Sequence, residues 1–220
     1  LSKIASSIWN HVKISDVTMN TCIHKCDFLN SHINSILDLD YVEVEKIKKQ
    51  NLVVIVDGIN SSGAVYVPAL LQRLGVTVEL VLNCRTNGHF AHNPEPLPSH
   101  LADLSRAVVE HGCHLGISVD PDVDRLCFVS EDGSFFGEEY TLVAVADYVL
   151  SKTPGNTVSN MSSTRALSVV ADKYGCNYTA SAVGEVNVVE AIRANNAIIG
   201  GEGNGGIIYP TSHAGRDALV

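Results

Sequence analysis

The sequence predicts an α/β protein made of two consecutive α/β units. From residue 51 onward, continuous apolar runs of strand length alternate with stretches of helical periodicity. The alternation pauses at residues 151–156, a polar segment with Pro and Gly, and then starts again. The composition, 45% hydrophobic and 18% charged over 220 residues, is typical of a folded globular protein.

The region before the first unit is patterned less regularly. Residues 27–37 carry apolar side chains at helical spacing and predict a helix. Residues 42–49 predict a second, short helix with a basic end.

The first unit opens with a βαβ pattern. The apolar run at residues 52–56 predicts a strand buried on both faces, and residues 57–63 form the turn at its carboxyl end. Residues 65–74 predict a helix that Gly75 terminates, and residues 76–82 predict the next strand. We expect a right-handed crossover between the two strands.

The first unit continues after an irregular loop at residues 83–99 that is rich in Pro and His. Residues 101–111 predict a helix and residues 115–119 a strand. Residues 126–136 predict an antiparallel hairpin with an Asp-Gly turn, and residues 140–150 predict a helix.

The second unit repeats this alternation without clear sequence identity to the first. Its predicted strands lie at residues 157–161, 176–180 and 197–199, and its predicted helices at residues 165–174 and 186–194.

Three carboxylates, Asp120, Asp122 and Asp124, follow the predicted strand at residues 115–119 at alternate positions. In an extended or looping backbone this spacing points them the same way. Three like charges so close repel unless a cation lies among them, and oxygen ligands suit Mg²⁺ or Ca²⁺. Arg125 adds a bidentate anion binder beside them, so the group is equipped to hold a phosphoryl group. Its place after a strand of an open α/β sheet favours a functional site.

Two other interpretations of the aspartates are open. The first is a solvated turn, because Asp-Pro is a common turn dipeptide. The second is an EF-hand calcium loop, whose last ligand would be Glu131. The EF-hand fits poorly, since Arg125 stands where the sharp turn needs Gly and β-forming residues follow instead of a helix.

A glycine cluster at residues 200–206 matches G-x-G-x-x-G after a predicted strand. A dinucleotide-binding oxidoreductase would need a helix to open on this loop, but the β-like segment 207–210 follows. We interpret the cluster as a tight loop that brings Glu202 and Asn204 to a polar ligand such as a sugar. A plain glycine-rich turn is the alternative.

Charge and composition restrict the partners. A net charge of −9 and a pI near 5.4 argue against nucleic acid or an anionic membrane as the main partner. No run approaches the roughly 20 apolar residues of a membrane span. The six cysteines do not complete a zinc pattern and predict free thiols in a reducing compartment. No clear signal peptide opens the sequence, and we expect a cytoplasmic protein.

In this order and spacing, the motifs resemble those of the α-D-phosphohexomutase family, which includes phosphomannomutases, phosphoglucomutases and phosphoglucosamine mutases. Residues 53–63 resemble the opening strand and turn of the family's second domain, and residues 120–125 resemble its metal loop. Residues 201–206 resemble the sugar loop of the third domain, and residues 215–219 also fit. The resemblance extends from about residue 27 to residue 220.

The resemblance implies Mg²⁺-dependent transfer of a phosphoryl group between O1 and O6 of a hexose or hexosamine phosphate, through a hexose 1,6-bisphosphate and an enzyme phosphoserine. Glucosamine, mannose and glucose phosphates are all open as substrates. The implied site residues are Asp120, Asp122 and Asp124 for one Mg²⁺, Arg125 for neutralising the phosphoryl group in catalysis, and Glu202, Asn204 and Gly184 for binding the sugar.

The resemblance also implies two three-layer α/β/α domains with mixed, mainly parallel sheets, the second of them incomplete. We expect residues 1–40 to be the end of a preceding domain with a connecting helix. Residues 41–152 would be the second domain, with the metal loop, and residues 153–220 part of the third, with the sugar loop.

The sequence departs from the family at the nucleophile. Residues 92–94 mimic the end of its phosphoserine loop, but Ala91 occupies the place of the serine, and no role is carried onto this segment. The phosphate-gripping fourth domain has no counterpart, and Leu1 stands where an initiator Met is expected. We therefore expect an enzyme fragment that lacks the first and fourth domains and is inactive alone. The alternative is a stand-alone, non-catalytic module that binds a metal and a sugar phosphate.

Overall fold

The computed structural model describes Cys26 and residues 28–220. Before the first sheet come helices α1 (Leu29–Leu37) and α2 (Val44–Lys48). The first sheet and its helices are β1 (Val53–Asp57), α3 (Gly63–Arg73), β2 (Thr77–Leu82), α4 (Ala102–Glu110), β3 (Leu115–Val119) and β4 (Leu126–Ser130), with a 3₁₀ turn at Pro98–His100. Helix α5 (Glu138–Lys152) leads to the second sheet. That sheet and its helices are β5 (Thr157–Asn160), α6 (Ala166–Lys173), β6 (Tyr178–Ser181), α7 (Glu185–Asn195), β7 (Ile199–Glu202) and β8 (Gly206–Ile208).

The two sheets have the same topology. Within the described residues each sheet has four strands, in the orders β2-β1-β3-β4 and β6-β5-β7-β8. In the first sheet β1 pairs in parallel with β2 and β3, and β4 closes the edge antiparallel to β3. In the second sheet β5 pairs in parallel with β6 and β7, and β8 is antiparallel to β7. The turn from β3 to β4 therefore corresponds to the turn from β7 to β8.

The first sheet is buried on both faces because its central strand is apolar at every position before Asp57. Val54 and Val56 pack on the face covered by α1 and α3, whereas Ile55 packs on the face covered by α4. Full burial of one such aliphatic side chain contributes about 1.5–3 kcal/mol. The alternation fixes the register of β1, because a slip by one residue would exchange the two faces.

The second sheet is sandwiched in the same way. Val158 and Ile208 pack with Val188 and Ile192 of α7. On the opposite face, Ile199 packs with residues of α5 and α6. The predicted fold class, two α/β/α units with mixed and mainly parallel sheets, is confirmed.

Most predicted elements are found within one to three residues of their predicted ends, with some differences. Residues 151 and 152 belong to α5 and not to a linker, since the N–H of Thr153 still donates to the carbonyl oxygen of Val149 in the last turn. The predicted hairpin at residues 126–136 is present but short: Val129 and Phe135 form one antiparallel bridge, with backbone hydrogen bonds from Ser130 to Ser134 and from Phe136 to Phe128 on either side of it. Asp27, the predicted start of α1, lies outside the described residues.

Two further predictions concern the cysteines and membrane-spanning segments. The five cysteines within the described residues are free thiols, as predicted. Among the helices of the described chain, none has the length and apolar character needed to cross a membrane.

Candidate functional site

The two corresponding turns meet between the sheets. We call residues 120–125, between β3 and β4, the aspartate loop, and residues 203–205, between β7 and β8, the glycine turn. The backbone N–H of Leu126 donates to the carbonyl oxygen of Gly205 at 3.0 Å. Gly205 has a φ of +90°, and a Cβ there would lie 2.6 Å from the carbonyl oxygen of Leu126. A glycine at this position therefore permits the two turns to touch.

The aspartate loop is a tight turn organised by its first carboxylate. Asp120 Oδ1 accepts hydrogen bonds from the backbone N–H groups of Asp124 and Arg125, both at 3.0 Å. Between them Val123 adopts a φ of +60° and is nevertheless buried. A β-branched residue in this conformation costs on the order of 1–3 kcal/mol and is held by its surroundings. Val123 thus lies at the strained point of the loop.

The turn after β1 is attached to the aspartate loop by hydrogen bonds. The hydroxyl groups of Ser61 and Ser62 each donate to the carbonyl oxygen of Pro121 at 2.7 Å. Asp57, buried at the end of β1, contacts the imidazole Nε2 of His92 at 2.9 Å. His92 thus anchors the loop at residues 83–99 to the first sheet, a structural contact that the sequence did not indicate.

The three aspartates are brought together as predicted. One carboxylate oxygen of each lies within 4.8 Å of the others, with Asp120 buried and Asp122 exposed. Within the described chain, Asp124 Oδ1 is buried without a hydrogen-bond partner. Burial, together with the neighbouring carboxylates of Asp124 and Asp122, raises the pKa of Asp120 to about 7. The carboxylate donors and the unpartnered oxygen fit a hard divalent cation such as Mg²⁺. Strands on both sides of the loop exclude an EF-hand.

Arg125 lies against the aspartates and faces the space between the sheets. Its Nε is 3.6 Å from Asp120 Oδ2 and 3.7 Å from Asp124 Oδ1, and its Nη1 is 3.6 Å from Glu95 Oε1. In the described part of the chain, the buried Nε has no hydrogen-bond partner. The side chain is 27% exposed, so the outer part of the guanidinium group can donate to an anion.

A cleft of about 300 Å³ lies between the aspartate loop and the glycine turn. Arg125 and Asn204 both line it, from opposite sheets. The remaining residues that line this cleft are Glu95, Pro96, Leu97, Glu138 and Gly203. A guanidinium group, an amide and two carboxylates thus share one polar space, which offers hydrogen-bond donors and acceptors to a small polar ligand.

The other predicted sugar contacts lie differently. Glu202 is only 6% exposed, and its Oε1 accepts from Asn160 Nδ2 at 2.6 Å while its Oε2 accepts from Arg216 Nη1 at 2.7 Å. Gly184 is not among the residues that line the cleft; it precedes α7 with a φ of +111°. Asn204 is the predicted sugar contact that reaches the cleft directly.

Strand β8 follows the glycine turn where a dinucleotide-binding fold would place a helix, and this excludes the Rossmann interpretation. Strand β7 also extends to Glu202, further than predicted. Gly200 and Gly201 lie in this strand at positions where a side chain would not fit. A Cβ on Gly201, for example, would be 2.1 Å from the carbonyl oxygen of Gly206.

Sequence reasoning missed Arg216. Its guanidinium group pairs with Asp124, Glu202 and Glu185, so it joins the aspartate loop to the second sheet. The only indication in the sequence was that residues 215–219 fit the resemblance. Asp124 precedes Arg216 by 92 residues, and no local pattern reports such a contact.

Comparison with known families gave two adjacent matches. Residues 30–133 match "Phosphoglucomutase/phosphomannomutase, alpha/beta/alpha domain II". Residues 137–220 match "Phosphoglucomutase/phosphomannomutase, alpha/beta/alpha domain III". Together the two matches include the aspartate loop, the glycine turn and Arg216.

Individual relatives agree with these matches. The chain is 36% identical over 200 residues to a phosphoglucomutase/phosphomannomutase of Thermococcus kodakarensis, covering 90% of this chain and 43% of the relative. It is 28% identical over 195 residues to a phosphoglucosamine/phosphogalactosamine mutase of Sulfurisphaera tokodaii, covering 87% of this chain and 42% of that protein. A crystal structure of a phosphoglucomutase/phosphomannomutase family protein from Burkholderia thailandensis superimposes with a TM-score of 0.77 at 26% identity, covering 89% of this chain and 42% of that one. The chain thus spans about two fifths of the length of these relatives.

Proposed function

Since the chain belongs to the phosphoglucomutase/phosphomannomutase family, we propose that it forms the metal- and sugar-binding part of a phosphohexomutase. The reaction we propose is transfer of a phosphoryl group between O1 and O6 of a hexose or hexosamine phosphate through a 1,6-bisphosphate. The serine that gives and recovers the phosphoryl group would belong to a part of the enzyme outside this chain. The short span of the chain relative to its relatives supports this division.

One observation carries the proposal. The aspartate loop and the glycine turn come from different sheets, yet Arg125 and Asn204 line the same cleft. Phosphoryl transfer depends mainly on positioning and on neutralising the charge of the phosphoryl oxygens. This cleft combines an arginine with a polar side chain for a sugar, and the arginine lies directly against the carboxylate cluster that would hold the cation.

We assign the residues as follows. Asp120, Asp122 and Asp124 would hold Mg²⁺, which when bound supplies positive charge beside the phosphoryl group. Arg125 would donate from its guanidinium group to the phosphoryl oxygens, since the residue lines the cleft and its side chain is 27% exposed. This interaction is strongest when charge accumulates on those oxygens during transfer.

The sugar would be held from the second sheet. Asn204 would exchange hydrogen bonds with ring hydroxyl groups, because its amide both donates and accepts. Glu202 would accept from a hydroxyl group through the lone pairs that Asn160 and Arg216 leave available. A role for Gly184 in sugar binding stays a prediction.

A mutase assay on the full-length gene product tests the proposal. Glucosamine 6-phosphate, mannose 6-phosphate and glucose 6-phosphate would be compared, each with Mg²⁺ and a catalytic amount of the corresponding 1,6-bisphosphate. We expect turnover of at least one of them, dependent on Mg²⁺ and lost with a chelator. Binding of metal and sugar phosphate without turnover would instead favour a non-catalytic module.

A further inference from the structure

Arg216 joins three carboxylates that come from different parts of the fold. Its Nη2 pairs with Asp124 Oδ2 in the aspartate loop, and its Nη1 donates to Glu202 Oε2 at 2.7 Å. Its Nε lies 3.5 Å from Glu185 Oε2, at the start of α7. Only 12% of the side chain is exposed, so the guanidinium group is almost enclosed by these partners.

The backbone around Arg216 is attached to the same elements. The N–H of Arg216 donates to Glu185 Oε1 at 3.0 Å, and the N–H of Ala218 donates to the carbonyl oxygen of Val123 at 3.0 Å. The N–H of Asp217 donates to the carbonyl oxygen of Ile207 in β8 at 3.1 Å. Because its backbone is fixed on both sides, the side chain has little freedom to leave the aspartate loop.

This arrangement pairs one oxygen of Asp124 with Arg216 and leaves the other on the side of Arg125. Arg216 occupies Oδ2, whereas Oδ1 is buried and has no hydrogen-bond partner within the described residues. Oδ1 lies 3.7 Å from Arg125 Nε, which is itself 3.6 Å from Asp120 Oδ2. A carboxylate held in this way offers one defined oxygen to a cation.

We propose that Arg216 is a positioning residue that orients Asp124 toward the cation and links the aspartate loop to Glu202 of the second sheet. The inference rests on the proposed cation site. A planar guanidinium group can hold two carboxylates in fixed directions at once, which the single ammonium of lysine cannot do. Arg216 thereby keeps the aspartate loop and strand β7 in one relative position.

Positioning and simple charge predict opposite effects on metal affinity. If Arg216 acted only through its positive charge, removing it would leave the cluster more negative and would strengthen cation binding. If it orients Asp124, removing it frees the carboxylate to turn, and affinity falls. Loss of such an orienting partner typically lowers metal affinity about 10- to 100-fold.

The test is a titration of the 220-residue chain with Mn²⁺ alone, with free Mn²⁺ measured by electron paramagnetic resonance. Arg216→Met removes the charge and the hydrogen bonds, and Arg216→Lys keeps the charge only. Arg193→Met, an exposed arginine in the last turn of α7, is the matched control. Circular dichroism and thermal unfolding would show whether each variant is folded.

We expect Arg216→Met to weaken Mn²⁺ binding about 10- to 100-fold, Arg216→Lys to weaken it several-fold, and Arg193→Met to leave it unchanged. Equal or tighter binding by a folded Arg216→Met chain would overturn the positioning role. If that variant does not fold, Arg216→Lys decides, and parent-like affinity in it overturns the role. Loss of the fold in both variants would replace positioning by a purely structural role. A parent chain that does not bind Mn²⁺ would overturn the cation site itself, and the role of Arg216 with it.

Discussion

The aspartate loop and the glycine turn occupy the same place in two sheets of equal topology, yet they differ in how their polar atoms are satisfied. The aspartate loop keeps Asp124 Oδ1 and Arg125 Nε buried without hydrogen bonds in the described chain, and it holds Val123 at a φ of +60°. At the glycine turn, Asn204 Oδ1 accepts from the N–H of Gly206 at 3.1 Å, and just before the turn both oxygens of Glu202 have donors.

This difference indicates that the two turns have different roles. Buried polar atoms without partners are costly, and native proteins keep them where a ligand or chemistry uses them. Strained backbone concentrates at such places as well. We infer that the aspartate loop is built to receive a charged ligand, whereas the glycine turn is a stable support that holds Asn204 at the cleft. Substitutions in the aspartate loop should therefore change cation binding, whereas replacing the glycine that shapes the glycine turn should mainly change stability.

The largest expected effect is on turnover, from Asp122→Ala. This substitution removes one of three carboxylate donors, and we expect turnover of the full-length gene product to fall by about 100-fold or more, beyond the loss seen for supporting residues. The midpoint of urea unfolding of the chain should stay the same or rise, because one of three mutually repelling charges is gone.

Glu131→Ala is the matched control for Asp122→Ala, because it removes an exposed carboxylate outside the site. It should leave turnover and unfolding unchanged. Parent-like turnover in the Asp122→Ala variant would contradict the assigned metal role.

A substitution at the glycine turn should mainly lower the free energy of unfolding. Gly205→Ala forces a Cβ toward the carbonyl oxygen of Leu126 and requires a positive φ, so we expect a loss of about 3 kcal/mol in the free energy of unfolding. Gly175→Ala is the control, since its φ of +66° is also positive but no atom lies within 4 Å of the added carbon. It should cost only about 1 kcal/mol. Equal losses in the two variants, measured by urea unfolding, would show that the contact between the turns does not hold them together.

The smallest expected effect comes from Asn204→Ala. A hydrogen bond to a sugar hydroxyl group is worth about 1 kcal/mol, so KM for the sugar phosphate should rise about fivefold with kcat nearly unchanged. Mn²⁺ affinity should not change, because Asn204 belongs to the other sheet. Asn30→Ala, at an exposed position of α1, serves as the control. A fall in kcat at constant KM would show that Asn204 acts in the chemical step. That result would contradict the different roles assigned to the two turns.

Local patterns were sufficient to predict most of the fold. The strand β3 was predicted with both of its ends, because its apolar run is bounded by polar residues and leads directly to Asp120. The aspartate cluster was also predicted, since its spacing is local and its chemistry follows from three like charges. The extent of β7 was missed because glycines favour turns, whereas here Gly200 and Gly201 are required by close packing within the sheet.

Features that depend on distant contacts were not predictable in this way. Arg216 reaches Asp124 across 92 positions, and the imidazole of His92 reaches Asp57 across 35. Burial of Glu202 between Asn160 and Arg216 likewise arises from tertiary packing. In each case the residue type indicated a possible contact, but only the arrangement of the two sheets determined the partner.

The most direct test of this account is anomalous diffraction from crystals of the chain soaked in Mn²⁺. The account predicts an anomalous peak among the carboxylates of Asp120, Asp122 and Asp124, with Asp124 contributing Oδ1 while its Oδ2 remains paired with Arg216. No peak at the aspartate loop, with Mn²⁺ bound elsewhere or not at all, would contradict it.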